Sequence, residues 1–182
     1  MNGIDTEALS ATLDAVGRDP GLADVTFGLE SEWLDGCHQR ASTTDLRQNG
    51  EVVETHTTRY TMESDEPAAL LGTDKAASPA EYVLQALAGC YAVTFAANAA
   101  ARGIELDSLR LDMRADLDLH GFLGLDESVR PGVQEVRVDV HATSSNSSRE
   151  QLQELTDAVQ QRSPIRDTLA SAVTVKTILV GG

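Results

Sequence analysis

The stretch SPAEYVLQALAGCYAVTFAANAAAR, Ser78 to Arg102, constrains the fold more than any other part of the chain. Ser78 followed by Pro79 marks a helix start: a hydroxyl N-cap, then a proline whose missing N–H costs nothing there. Glu81, three residues after Ser78, completes a capping-box pattern. Gly103 supplies a left-handed stop, and Arg102 puts a cation in the last turn, at the negative helix end. Between the caps, Leu84, Leu87, Tyr91 and Phe95 form one apolar stripe, and Ala86, Cys90, Val93 and Ala97 form another. A helix apolar nearly all round is expected to be buried. The spacing therefore predicts a central core helix carrying a thiol, Cys90, at mid-length. Tyr82 to Ala101 is uncharged and about as long as a bilayer span. Gln85, Thr94 and Asn98 interrupt it and no Lys/Arg cluster flanks it, which argues against a membrane helix.

The other segments are short. Met1 to Arg18 reads as an amphipathic helix on Leu9, Leu13 and Val16, capped by Asp5 or Thr6 and ended by Asp19-Pro20-Gly21. Val25 to Trp33 alternates as a half-buried strand. Asp35-Gly36 and Asn49-Gly50 are hairpin turns, so Cys37 to Leu46 and Glu51 to Met62 complete an antiparallel meander. Glu63 to Ala77 is a loop. Leu106 to Leu119 and Val133 to Ala142 alternate as two long strands, with a loop from Gly121 to Gly132. Ser147 to Glu150 reads as a capping box for a helix on Leu152, Leu155 and Val159. Ser163-Pro164 repeats the cap-then-proline device for a short helix, and Val173 to Val180 reads as a last, β-branched strand. Segregated helices and strands give an α+β fold with antiparallel sheet. We read residues 1–22 as a helical appendage and 23–182 as the main domain.

The net charge of −15 argues against nucleic acid and anionic membrane surfaces as partners, and reads as a solvated acidic surface. No basic segment followed by an apolar run opens the chain, so no signal peptide is expected. Two cysteines do not make a disulfide framework, and reduced thiols in the cytoplasm fit best.

Cys90 is the first candidate for chemistry. Taken alone, it reads as a packing thiol, because free Cys is among the most buried residue types. A catalytic thiol needs a cation or a helix N-terminus beside it, and Cys90 lies mid-helix, so help must come from another segment. Cys37 reads as a half-exposed structural thiol. His38, His56, His120 and His141 show no paired metal spacing, and there is no C-x-x-C, so neither metal nor cofactor is expected. Ser163-Pro164 reads first as a cap. A second reading points that helix start at a nearby thiolate.

Two motifs carry a resemblance. The first is Asp65-Glu66-Pro67, Leu71-Gly72-Thr73-Asp74, then Ser78-Pro79-Ala80-Glu81-Tyr82-Val83-Leu84 running to Ala88-Gly89-Cys90. The second is Ser163-Pro164-Ile165 before Thr168-Leu169. Together with the order of elements they resemble the OsmC/Ohr family, the osmotically induced and organic-hydroperoxide-resistance proteins, over about Val25 to Val180. The resemblance implies an intertwined homodimer with long central helices between antiparallel sheets. It also implies reduction of organic hydroperoxides by a thiol pair. One Cys attacks the peroxide, a second resolves its sulfenic acid, and a dithiol reductant restores both. Cys90 matches the attacking Cys. Ser163 stands where the family has its second Cys, and a serine cannot form the resolving disulfide. The family's Glu matches Ala80, with Glu81 one place late. Nine residues along a helix turn it about 180°, so Glu81 faces away from the Cys90 of its own chain. The activating Arg is matched by Arg59, with Arg40 a weaker candidate. The expected function is thiol-dependent hydroperoxide reduction, with Cys90 as nucleophile, Arg59 as its cation and an external thiol as resolver. The alternative is a binding module of the same fold for a small hydrophobic ligand.

Overall fold

The computed structural model describes residues 1–181. The chain divides into two units, Asp5–Val83 and Leu84–Gly182 with Met1–Ile4. The first unit opens with helix α1 (Thr6–Arg18), capped by the Asp5 carboxylate, which accepts from the N–H groups of Glu7 and Ala8 at 3.0 Å. Its strands are β1 (Val25–Thr26), β2 (Leu29–Asp35), β3 (His38–Thr43), β4 (Arg47–Gln48), β5 (Glu51–Val52) and β6 (Thr61–Ser64). They form two antiparallel sheets, β1-β4-β5 and β2-β3-β6.

The three strands expected from the turn residues are present in connectivity, but each is broken where the chain passes from one sheet to the other. The breaks fall at Phe27–Gly28, Thr44–Leu46 and Val53–Tyr60. Gly28 meets Thr44 at the bend: the Thr44 N–H donates to the Gly28 carbonyl at 2.9 Å, and a Cβ on Gly28 would lie 2.1 Å from the Thr44 hydroxyl. A side chain there would require the Thr44 hydroxyl to turn away. The alternation through Val25 to Trp33 suggested a half-buried strand, yet Phe27, Leu29 and Trp33 are exposed.

The loop after β6 is built around Asp65, whose side chain is only 1% exposed. Its carboxylate accepts from the Thr73 hydroxyl at 2.6 Å, and from the N–H groups of Glu66, Thr73 and Lys75 at 2.8, 3.1 and 3.1 Å. Gly72 passes so close to Glu66 that a Cβ would overlap the Glu66 carbonyl oxygen at 1.7 Å. The motif residues Asp65, Gly72 and Thr73 are therefore one folded turn that delivers the chain to Ser78.

Helix α2 (Pro79–Ala101) begins there with the expected reciprocal cap: Ser78 N–H to Glu81 at 2.8 Å, and Glu81 N–H to the Ser78 hydroxyl at 3.3 Å. It ends in a Schellman pattern at Gly103 (φ +69°), with the Gly103 N–H donating to Ala100 and the Ile104 N–H to Ala99.

In the second unit the body of α2 packs on the hairpin of β7 (Ser108–Asp116) and β8 (Glu135–Thr143). The register pairs Leu109 with Ala142, Leu111 with Val140, Met113 with Val138 and Ala115 with Val136, so one face is wholly apolar. The other face sets Asp112 opposite Asp139, Arg114 opposite Arg137 and Asp116 opposite Glu135. Like charges directly opposite repel. Diagonal pairs offset this: Arg114 reaches Asp139 at 3.3 Å, His141 reaches Asp112 at 3.2 Å, and Arg137 bridges Asp116 and Glu135.

The expected loop after β7 contains a short helix α3 (Leu119–Phe122), started by the Asp118 side chain. Helix α4 (Arg149–Arg162) is capped by Ser148 with Gln151, one residue later than the Ser147–Glu150 pairing expected. The shift is physical, because the same S-x-x-E/Q pattern recurs at the next position and glutamine reaches back equally well. Helix α5 (Pro164–Ala170) follows directly.

Two expectations fail. Residues 173–180 form no strand, and Leu179 is 99% exposed. β-Branched residues favour a strand only where an edge is available to pair with. Nor is α2 buried all round. Leu87, Tyr91, Phe95 and Ala99 are buried, whereas Gln85, Ala86, Gly89, Ala92 and Val93 face outward, Val93 being 68% exposed.

The Asp65 turn has a pH signature. The Thr73 hydroxyl, followed by the three N–H donors, holds the Asp65 carboxyl far below the usual carboxylate range, against burial, which acts the other way. A depressed folded-state pKa means the stabilisation is complete above the unfolded value, near 4. It is lost as pH falls through the folded value. Asp65→Asn is expected to melt lower than the parent at pH 7, with the gap narrowing as pH drops below about 4. Thermal melts by circular dichroism across that range check this.

Candidate functional site

The site is built from two rows of side chains at helical spacing. On α4, Leu155 and Val159 are fully buried, and Ser163 follows at the next i+4 position, 1% exposed. A polar side chain thus continues an apolar stripe into the core. On α2, Leu87, Tyr91 and Phe95 form the facing stripe, with Phe95 at 0% exposure. The Tyr91 and Phe95 rings meet edge to face with centroids 6.5 Å apart, an arrangement worth about 0.5–1.5 kcal/mol beyond area burial. Cys90 precedes Tyr91 and falls at the edge of this seam, half-buried.

The two rows meet at one contact. The Ser163 hydroxyl donates to the Cys90 sulfur at 3.1 Å. The same oxygen accepts from the Arg166 N–H at 3.3 Å and so caps α5. A serine hydroxyl has one proton and two lone pairs, so with its proton on the sulfur it still accepts from the backbone. Sulfur accepts such a bond better as thiolate than as thiol. Below Cys90, α2 carries a polar stripe. The Thr94 hydroxyl donates to the Cys90 carbonyl at 2.7 Å, and the Asn98 amide donates to the Thr94 carbonyl at 2.9 Å. Arg162, at the end of α4, donates to the Asn98 side-chain oxygen at 3.4 Å.

Tyr91 senses the surrounding charge. Burial pushes its hydroxyl pKa up, Arg166 pulls it down, and Cys90 in its charged form pushes it up. Arg166 is half-buried on the first turn of α5. Sequence reading stopped at Ser163-Pro164-Ile165 and passed over it. Its three-residue spacing from Ser163 was the available signal.

The remaining candidates lie in the first unit. Arg59 is not on a strand but in the run between β5 and β6, where it donates to the Thr43 carbonyl at 3.0 Å and to Asp45 at 2.6 Å. Arg40 donates to Glu63 at 2.9 Å, and His38 contacts the other Glu63 oxygen at 3.0 Å. These two partners, Arg40 first, hold the Glu63 carboxyl below its ordinary range. Glu81 serves the α2 cap. Cys37 is an exposed free thiol after the Gly36 turn, with its sulfur 3.6 Å from the Leu71 carbonyl. Among the described residues no His, Cys, Asp and Glu cluster has metal-ligand spacing.

The OsmC-like protein family profile matches residues 72–178. Cys90, Ser163 and Arg166 lie inside that range, and Arg59 lies outside it. The fold is similar to an OsmC-like protein from Mycoplasma pneumoniae at 19% identity, over 80% of this chain and 87% of that one, with a TM-score of 0.59. It is similar to an organic hydroperoxide resistance protein OsmC from Legionella pneumophila at 14% identity, over 79% and 88%, with a TM-score of 0.54. An organic hydroperoxide resistance protein from Elizabethkingia anophelis gives 15% identity, 78% and 86%, and a TM-score of 0.52. At such identities the likeness is one of fold. No curated protein matches. The profile covers more than half of the chain and takes in Ser78 to Cys90 and Ser163 to Leu169, so the chain belongs to the OsmC-like protein family.

Proposed function

We propose that this protein reduces organic hydroperoxides with Cys90 as its one working thiol. The observation that carries the reading is the 3.1 Å contact between the Cys90 sulfur and the Ser163 hydroxyl. It couples the α2 thiol to the position where the family resemblance puts a second Cys. The names of the Legionella and Elizabethkingia relatives support the same reading.

The chemistry balances without a metal or cofactor. The Cys90 thiolate attacks the distal peroxide oxygen. The O–O bond breaks, an S–O bond forms, and the alkoxide leaves as the alcohol after taking a proton. Cys90 is then a sulfenic acid. Serine has no sulfur with which to resolve it, so an external thiol attacks the Cys90 sulfur and expels water. A second thiol equivalent reduces the mixed disulfide. A dithiol reductant and a small hydrophobic hydroperoxide are the partners this requires, and a reducing cytoplasm is the compartment that suits it.

A second copy of the chain completes the proposal. The outward side of α2 at Ala86, Gly89, Ala92 and Val93 is small and apolar, and nothing lies within 4 Å of where a Gly89 Cβ would be. A flat face of this kind admits another helix closely. The binding-module alternative draws on a different place: an apolar hollow of about 270 Å³ lined by Phe27, Leu29, Leu46 and His56 among others.

Three measurements test these statements. Cys90→Ser is expected to abolish consumption of cumene hydroperoxide with dithiothreitol, while Cys37→Ser retains it; consumption independent of Cys90 would overturn the reading. Ser163→Cys places a second sulfur beside Cys90 and is expected to form an intramolecular disulfide on mild oxidation, seen by mass spectrometry as loss of two free thiols. Sedimentation is expected to give twice the 19.4 kDa chain mass, with Gly89→Glu returning it to the single-chain value.

A further inference from the structure

A thiolate at Cys90 requires a positive charge brought by another segment, because mid-helix the macrodipole of α2 offers little. The chain carries 29 acidic residues against 14 Lys and Arg, and six of its twelve arginines are claimed by carboxylates, while of the other six only Arg166 is not exposed. Arg18, Arg40, Arg59, Arg110, Arg114 and Arg137 each sit on Asp or Glu. Arg166 does not. It is half-buried, and among the described residues its guanidinium has no carboxylate and no hydrogen-bond partner. A half-buried guanidinium without a counter-ion is costly unless an anion arrives to share its site.

We propose that Arg166 is the charge partner of Cys90, holding its sulfur as the thiolate. The proposal rests on the peroxide reading only for the use made of that thiolate. The backbone path is short: the Cys90 sulfur accepts from the Ser163 hydroxyl at 3.1 Å, and that oxygen accepts from the Arg166 N–H at 3.3 Å. Arg166 therefore joins the Cys90–Ser163 contact through its backbone N–H, and its side chain starts from that residue. The charge of Arg166 is felt at Tyr91, the residue after Cys90, and so is the charge of a Cys90 thiolate. The other charged groups nearby are committed or turned outward. Arg162 donates to Asn98, two turns along α2. Asp167 is exposed and accepts from the Ser171 hydroxyl at 3.4 Å. In the other unit, Arg59 is occupied by Asp45 and the Thr43 carbonyl.

This assigns to a residue three places after the cap a role that the resemblance would give to an arginine before α2. A positive charge within about 4–6 Å favours the ionised form by one to three pH units. In a Cys37→Ser background, the rate of Cys90 alkylation by iodoacetamide is followed against pH. Arg166→Met is expected to move the midpoint up by about one unit and to slow alkylation at pH values below that midpoint. Arg166→Lys restores most of it, and Arg59→Met leaves it in place. An unchanged midpoint in Arg166→Met overturns the proposal, and so does an equal shift in Arg166→Met and Arg166→Lys, which marks a packing role. If Arg166→Met does not fold, Arg166→Gln carries the test: an unchanged midpoint overturns the proposal, and a rise of about one unit supports it. Peroxide consumption is assayed separately on the same proteins. A shifted midpoint without turnover defeats the peroxide reading alone, and Cys90-dependent turnover with an unchanged midpoint defeats this proposal alone.

Discussion

The second unit depends on the seating of one stripe of α2. Leu87, Tyr91, Phe95 and Ala99 bury themselves with Ile104, Leu155 and Val159, against the apolar face of β7–β8. Burying a Phe or Leu side chain contributes about 1.5–3 kcal/mol. Four such positions in register on one helix outweigh any other preference for its rotation. Once that rotation is set, Cys90 has nowhere to go but the edge of the seam, one residue out of the buried row. The same register on α4 places Ser163 after Leu155 and Val159, and the Ser163 N–H closes the helix on the Val159 carbonyl at 2.9 Å. The contact between hydroxyl and sulfur thus follows from apolar packing on two helices.

Ser163 does two things with one oxygen. As an N-cap it contributes about 1 kcal/mol to the start of α5. As a donor it addresses the sulfur of a residue far away in sequence. A second Cys at this point could form a disulfide with Cys90, whereas the hydroxyl gives a hydrogen bond.

Charge organises the periphery. On the solvent face of β7–β8, acids and bases oppose their own kind across the ladder and are reconciled only by diagonal pairs. In the first unit, Arg59 pairs with Asp45, and Arg40 pairs with its cross-strand partner Glu63. Six of the twelve arginines are held in such pairs, and of the other six only Arg166 is half-buried.

Much of the architecture was legible in the residues, because it depends on local chemistry. Ser78 with Glu81, Gly103, Asn49-Gly50 and Ser163-Pro164 each specify a backbone state through their own donors, acceptors or missing Cβ. The alternation in β7 and β8 names its buried face without reference to anything else. Membership of the family was equally legible in the motifs around Cys90 and Ser163. What only the tertiary structure decided is what touches what. The strands break at Gly28 because Thr44 crosses there, a meeting of distant residues. Val173 to Val180 has strand composition but finds no edge, and pairing is a property of neighbours. Local residue chemistry left Ser163 a cap and Cys90 a packing thiol, and only the resemblance tied the two together. The packed helices put 3.1 Å between them and placed Arg166 on the same bridge, since distance between remote side chains is set by burial of everything that lies between.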